Sequence, residues 1–301
     1  MHRKATLLLL IGLMLCSFSV HAKLSVFTCE PEWKALAEQI GGDQVSVFSA
    51  TTAQQDPHHI QARPSLIAKL RRADLLVCTG AELEAGWLPL LLRRARNAKV
   101  QPGREGHLMV ADHLSLMEKP TRLDRSEGDV HAQGNPHFHL DPRRVLKAAE
   151  VLAARLTRID AENSKSYQER LAGFQQQWNE AIPRWEASAA SLHGKSVVVH
   201  HREWIYLLDW LGMKRLAALE PKPGVPPSAG HLVGLQSALK ENPALAIIRA
   251  MKDDSGPSEW LAKRTGVPAV SLPYTVGSTE HADSLQALFD EIVKQLVELK
   301  K

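Results

Sequence analysis

The sequence predicts an α/β protein of two doubly wound lobes with parallel sheets, joined by a long rigid helix. Three observations predict it. Short β-rich apolar runs alternate with amphipathic helical stretches from residue 24 to residue 110. The same alternation resumes after Gly194. Between them, residues 142–191 form an almost unbroken helical stretch dense in Ala, Leu, Glu, Gln and Arg. Strands that alternate with helices argue for a parallel sheet covered on both faces. The chain therefore divides into a first lobe over 23–141, a helical connection over 142–191 and a second lobe over 192–301.

Ahead of the first lobe, His2-Arg3-Lys4 is a short basic start and Ala5 to Leu15 an apolar run. Val20-His21-Ala22 supplies small residues for cleavage before Lys23. That pattern is a secretory signal peptide, residues 1–22, too short for a membrane span. Cys16 invites a lipoprotein reading, but it follows Leu15, larger than the Gly, Ala or Ser expected there. Cleavage after Ala22 is preferred, and the mature chain is expected to be exported to the periplasm.

The first lobe opens with the strand Leu24–Cys29. A helix follows, with Trp33, Leu36, Ala37 and Ile40 at helical spacing and Gly41-Gly42 ending it. Val45–Phe48 alternates as a strand, Pro64–Arg72 reads as a helix and Asp74–Cys78 as a buried strand. A helix is expected over Leu83–Arg96 and a short strand over His107–Val110. Residues 112–135 are polar, with Gly128, Gly134, His113 and His131, and read as a mobile loop. Asp141-Pro142 opens a helix, Asp141 as N-cap and Pro142 at the first position, where a missing N–H is harmless. Helices run over Pro142–Ile159 and Ala161–Ser191, with Pro183 expected to kink the second. Second-lobe strands are Ser196–His200, Lys214–Leu219, Leu245–Ile248 and Ala269–Leu272. Helices lie at Arg202–Leu211, Ser228–Glu241, Ser255–Thr265 and Ala282–Leu299. The seven tryptophans show no spacing that suggests a sugar platform and read as packing.

Removing residues 1–22 takes one Arg and one Lys from 37 basic residues, leaving 35 against 33 acidic, a net charge of +2. That balance gives no reason to propose nucleic acid or an acidic membrane surface. Two cysteines remain in an oxidising compartment. Cys29 and Cys78 close strands one and three, neighbours in a doubly wound sheet about 4.8 Å apart, within disulfide reach. A disulfide is expected.

Twelve histidines remain of 14 once His2 and His21 are removed. Ligands of doubly wound sheets sit beyond the carboxyl ends of the strands, and three histidine sites map there. His58 follows Asp56-Pro57 after the second strand. His137 lies in "GNPHFHLDP", on the last extended residues before a helix, where at most one of His137 and His139 aims at a given target. His200 and His201 end "SVVVHH", and neighbours on a strand point oppositely, so one faces the crevice. Spacing alone leaves turn chemistry and a shared metal site both open.

"IGGDQVSVFSATTAQQDPHH", "ADLLVCTGAELEAGW", "NPHFHLDP" and "VVVHHREWIYLLDWLG" occur in this order along the chain. In that register the chain resembles the solute-binding proteins of zinc and manganese ABC transporters over nearly all of its mature length. The resemblance implies two α/β lobes on a long helix with one metal in the interlobe cleft. It implies that a monomeric protein captures the metal and delivers it to a permease of the inner membrane. The family's Asp-Pro-His matches His58. Its Asp-Pro-His-x-Trp-Leu-Asp-Pro matches His137, with Asn135 standing for Asp and His139 for Trp. Its His-x-x-Phe-x-Tyr matches His201 to Tyr206, making His201 the ligand and His200 its buried neighbour. Gln61 stands where a Glu often follows the first His.

Three imidazoles favour zinc, since manganese prefers carboxylate oxygen. Zn²⁺ is redox-inert and takes a tetrahedral cage of N and O ligands. The acidic fourth ligand that the family usually supplies is absent: "SLPYTVGSTEH" puts Tyr274 or Thr275 in its place. The expected site is His58, His137 and His201 completed by water, with Glu280 and then Asp283 as alternatives. Three histidines and water also suit a zinc hydrolase, but no His-Glu-x-x-His, no Gly-x-Ser-x-Gly and no evident general base supports an enzyme. A carrier that hands zinc to other proteins is the remaining alternative. The 112–135 loop resembles a shortened form of the family's His-rich loop, in which His113 and His131 would capture metal weakly. "EPKPGVPPSAGH" (220–231) reads as a stiff connector or a rim of the cleft.

Overall fold

The computed structural model describes residues 22–120, 128 and 131–299. All of the expected signal peptide but Ala22 lies outside the described residues, as does the centre of the 112–135 loop. The first sheet is built from β1 (Leu24–Thr28), β2 (Val45–Ser49), β3 (Leu75–Cys78) and β4 (His107–Met109), in the order β2-β1-β3-β4. The second contains β5 (Ser196–Val199), β6 (Lys214–Ala218), β7 (Ile247–Ala250) and β8 (Ala269–Leu272), in the order β6-β5-β7-β8. Every pairing is parallel. In both sheets the order reverses beside the first strand, so each lobe has its switch-point crevice there. Strand β3 is buried along its whole length, as a central strand covered on both faces must be.

Helices α1 (Pro31–Gly41), α2 (Pro64–Arg71) and α3 (Leu88–Ala95) cover the first sheet. Each has proline in its first two positions, where no intrahelical donor is lost. The helix expected from Leu83 starts five residues later. Residues 81–87 turn instead, because Ala81 and Glu82 adopt positive φ and Glu84 turns back to accept from the Gly80 amide. A local cap outcompetes the first helical turn there.

The helical connection is two helices, α4 (Pro142–Ile159) and α5 (Ser164–Ala189), parted by a 3₁₀ turn at Ala161–Asn163. Asp141 caps α4 as expected, its side chain accepting from the Arg143 amide. The long member, α5, continues across Pro183. It packs on α1 of the first lobe and on α9 (Leu285–Glu298) of the second. Trp178 Nε1 donates to the Pro142 carbonyl at 2.7 Å, and Trp185 Nε1 to Asp290 at 2.7 Å. Trp178 packs edge-on against Trp185 and Phe289 between these contacts, and Trp185 lies tilted on Phe289. One apolar core therefore runs from Val26 through this helix to Leu296, with a smaller core on the outer face of each sheet. Helices α6 (Ile205–Trp210), α7 (Ala229–Glu241) and α8 (Gly256–Thr265) complete the second lobe. Strand β7 starts at Ile247, two residues after its expected position. Cys29 and Cys78 are joined by a disulfide, with Cα atoms 4.8 Å apart.

Candidate metal centre

The loops that leave the carboxyl ends of both sheets meet at one point, and the three predicted ligands lie there. After β2, Asp56 accepts from the His58 amide at 3.0 Å and from its ring Nδ1 at 2.7 Å, so one carboxylate sets both the turn and the ring. Trp87 holds the same turn by donating to the Pro57 carbonyl at 2.9 Å.

The sequence predicts His137 on extended backbone, but it instead caps a 3₁₀ turn, Phe138–Leu140, with φ −84° and ψ 35°. Asn135 makes this turn: its Oδ1 accepts from the His137 amide at 3.0 Å, while its Nδ2 donates across the cleft to the Arg202 carbonyl at 2.9 Å. An Asn can do both, whereas an ionised Asp only accepts. The His137 ring is buried, and its Nδ1 meets the Tyr274 hydroxyl at 2.8 Å.

His201 follows β5, and its Nδ1 pairs with Glu220 Oε2 at 2.6 Å. Glu220 leaves the end of the neighbouring strand β6 and is steadied by the Gly224 amide at 2.9 Å. Thus every outer ring nitrogen is occupied by protein. With Nδ1–H donating, each Nε2 turns a lone pair to the centre. That outer bond fixes the tautomer and orientation of a metal-binding imidazole. The rings stand 5.5–6.0 Å apart between centroids, and their ligand atoms lie within 4.8 Å of one another. Nε2 of His137 is buried without a hydrogen-bond partner, a costly arrangement that a bound cation resolves.

The electrostatics of His137 and His201 differ. Burial, then the neighbouring His201, His58 and His131, hold the His137 pKa well below the usual value, so this ring is neutral. Burial opposes charge on His201 too, but the Glu220 hydrogen bond and the carboxylates of Glu203 and Glu220 outweigh it and raise its pKa. Asp56 is likewise buried, yet its hydrogen bonds from His58 and the charge of Lys252 lower its pKa and keep it ionised. Lys252, from the end of β7, pairs with Glu203 and Asp253 and lies 5.2 Å over the Tyr274 ring.

The other candidates stand apart. His139 is buried on the Tyr274 carbonyl at 3.1 Å and on Glu32 at 3.5 Å. His200 is buried outside the cluster. Gln61, His113 and Asp283 are exposed. Glu280 is 87% exposed beside His281. Tyr274 stands behind His137, and Thr275 donates to Glu32 at 2.5 Å. His131 lies against His58. Glu220 went unread in the sequence, although an acid closing the strand beside "VVVHH" is a signal. Among the described residues the other close group of potential ligands is Cys29, Cys78 and Glu84, whose sulfurs are bonded to each other.

Two parallel-sheet lobes on a helical spine, with imidazoles from both converging in the cleft, define a cleft-type metal-binding protein. The chain belongs to the family described as zinc-uptake complex component A, periplasmic, which it matches over residues 26–299. This is a family of substrate-binding transport proteins, not enzymes. The chain is 25% identical to the zinc-binding lipoprotein AdcA of Streptococcus pneumoniae (strain ATCC BAA-255 / R6) over 260 residues, which cover 85% of this chain and 51% of AdcA. It therefore spans about half the length of that relative. It is also 25% identical over 174 residues to the manganese ABC transporter substrate-binding lipoprotein PsaA of Streptococcus pneumoniae, covering 55% of this chain and 53% of PsaA. A crystal structure of ZnuA has the same fold, with a TM-score of 0.77 at 23% identity, covering 93% of this chain and all of that one.

Proposed function

We propose that this chain, exported and cleaved after Ala22, binds one zinc ion in the interlobe cleft through His58, His137 and His201. It delivers that ion to the permease of an ABC importer. The observation that carries this is the set of outer hydrogen bonds from Asp56, Tyr274 and Glu220, which hold the Nδ1 side of three rings whose ligand atoms lie within 4.8 Å of one another. A site composed of imidazole, with its carboxylates one bond further out, suits zinc better than manganese. Family membership and the name of AdcA support zinc, and the name of PsaA supports the broader metal class. Among the described residues no helix is long and apolar enough to cross a membrane, which fits a carrier that meets its permease from outside.

Calorimetry against a competing chelator tests the reading. One zinc should bind tightly per chain and manganese much more weakly. His58→Ala, His137→Ala and His201→Ala should each lower zinc affinity by at least ~100-fold, beyond the loss typical of a residue that merely orients a ligand. His200→Ala and Glu280→Gln should change it little. Equal losses in both sets, or a preference for manganese, refute the assignment.

A further inference from the structure

We infer that His131 is the fourth protein ligand, so that the ion is enclosed by four imidazoles rather than by three and a solvent molecule. This rests on the metal-site reading above. His131 Nε2 stands 3.3 Å from His58 Nε2, with ring centroids 5.4 Å apart. Zinc–nitrogen bonds of about 2.0–2.1 Å at tetrahedral angles place two ligand nitrogens about 3.3–3.4 Å apart. Asp56 takes the Nδ1 proton of His58, so the His58 Nε2 turned to His131 carries a lone pair. Without a metal the His131 Nε2–H donates to it; a cation between the rings takes both nitrogens once His131 carries its proton on Nδ1. His131 thus meets His58 at the spacing of two ligands that share one ion.

The backbone around His131 is held on both sides. Ala81 and Glu82 have φ of 49° and 67°, two consecutive side-chain-bearing residues in the left-handed region. Such conformations persist only where the surroundings enforce them, and they gather at ligand sites. Here Glu82 Oε2 accepts from the Ala132 amide at 2.6 Å. Beyond it, the Gly134 amide returns to the His131 carbonyl at 3.1 Å, and Asn135, which also sets His137, donates to the Met117 carbonyl at 2.8 Å. His131 approaches over His58, its ring 6.4 Å from that of His137 and perpendicular to it. It lies just outside the tight trio, so metal binding draws it inward.

Zinc-edge X-ray absorption of the wild-type protein counts the imidazoles directly, and four are expected. The cobalt-substituted protein gives a second readout. Its visible bands should ignore azide in the wild type, whereas His131→Ala should expose a coordination position that azide fills, shifting the bands. The same variant should lose zinc affinity by on the order of 100-fold while still binding one ion. Glu82→Ala keeps the ligand and removes its tether, so it should cost about 10-fold with four imidazoles retained. Far-ultraviolet circular dichroism of the metal-free variants checks that they fold. A wild-type protein that binds zinc tightly through three imidazoles, with a cobalt form open to azide, overturns the inference and leaves the proposed function standing. A wild-type protein without tight zinc binding overturns both.

Discussion

At the scale of single residues, the proposed site rests on groups that stand behind its three imidazoles. Glu220 is the clearest: its carboxylate holds His201 in position and raises its pKa against the effect of burial. A proton on His201 competes with a bound metal, so zinc affinity should begin to fall at a higher pH than an ordinary imidazole, with its pKa near 6.5, would set. Glu220→Gln removes the charge that favours the imidazolium and leaves the burial that disfavours it. The midpoint of acid-driven zinc loss should therefore move to lower pH, while affinity at pH 8 falls about 10- to 100-fold because a weaker acceptor holds the ring. Chelator competition across pH 5–8 checks both halves; an unshifted midpoint removes Glu220 from this role. The three histidines were legible as candidates from Asp-Pro-His, Asn-Pro-His and the end of a strand. Their partners Tyr274 and Glu220 lie 137 and 19 residues away in sequence, and no local pattern links them.

Among the elements, the first sheet combines a hydrogen-bonded ladder with a covalent tie. The disulfide joins the residue after β1 to the last residue of β3 across 49 positions. Closing a loop of that length in the unfolded chain is worth about 4 kcal/mol in the chain-entropy description. Replacing both Cys29 and Cys78 by Ala should lower the stability of the metal-free protein in urea by up to that amount, with zinc affinity little changed. Thiol titration of the unfolded, unreduced protein should find no free thiol. Strand and helix order was readable here because β3 and β5 are nearly pure apolar runs and most helices carry proline or a capping residue at their starts. The start of α3 was not readable. Leu83, Trp87, Leu88 and Leu91 are spaced as a helix face, but the positive φ of Ala81 and Glu82 arises from tertiary anchoring that spacing does not encode.

For the whole molecule, the question is what sets the lobes against each other. Helix α5 spans both lobes through Trp178 and Trp185, and the cleft itself is crossed by buried polar bonds. Thr275 of the second lobe donates to Glu32 of the first at 2.5 Å, and both are almost fully buried. Thr275→Val leaves that carboxylate oxygen without its donor, at a cost of about 1–3 kcal/mol. Urea unfolding should show this loss in the metal-free protein. A ligand that prefers the folded form stabilises it, so saturating zinc should raise the midpoints of wild type and variant alike. A variant as stable as the wild type means that this bond does not hold the lobes.

The sequence by itself determined the two parallel-sheet lobes, the helical spine, the disulfide and a short list of histidines. Each of these is written in local periodicity, in capping residues or in a motif a few residues long. Tertiary structure decided which partner each imidazole would have, that Asn135 would reach across to the Arg202 carbonyl, and that His131 would lie against His58. Those outcomes depend on where loops from different strands of two separate sheets converge. That convergence is set by the packing of both lobes on α5, a property that no single segment of the chain carries.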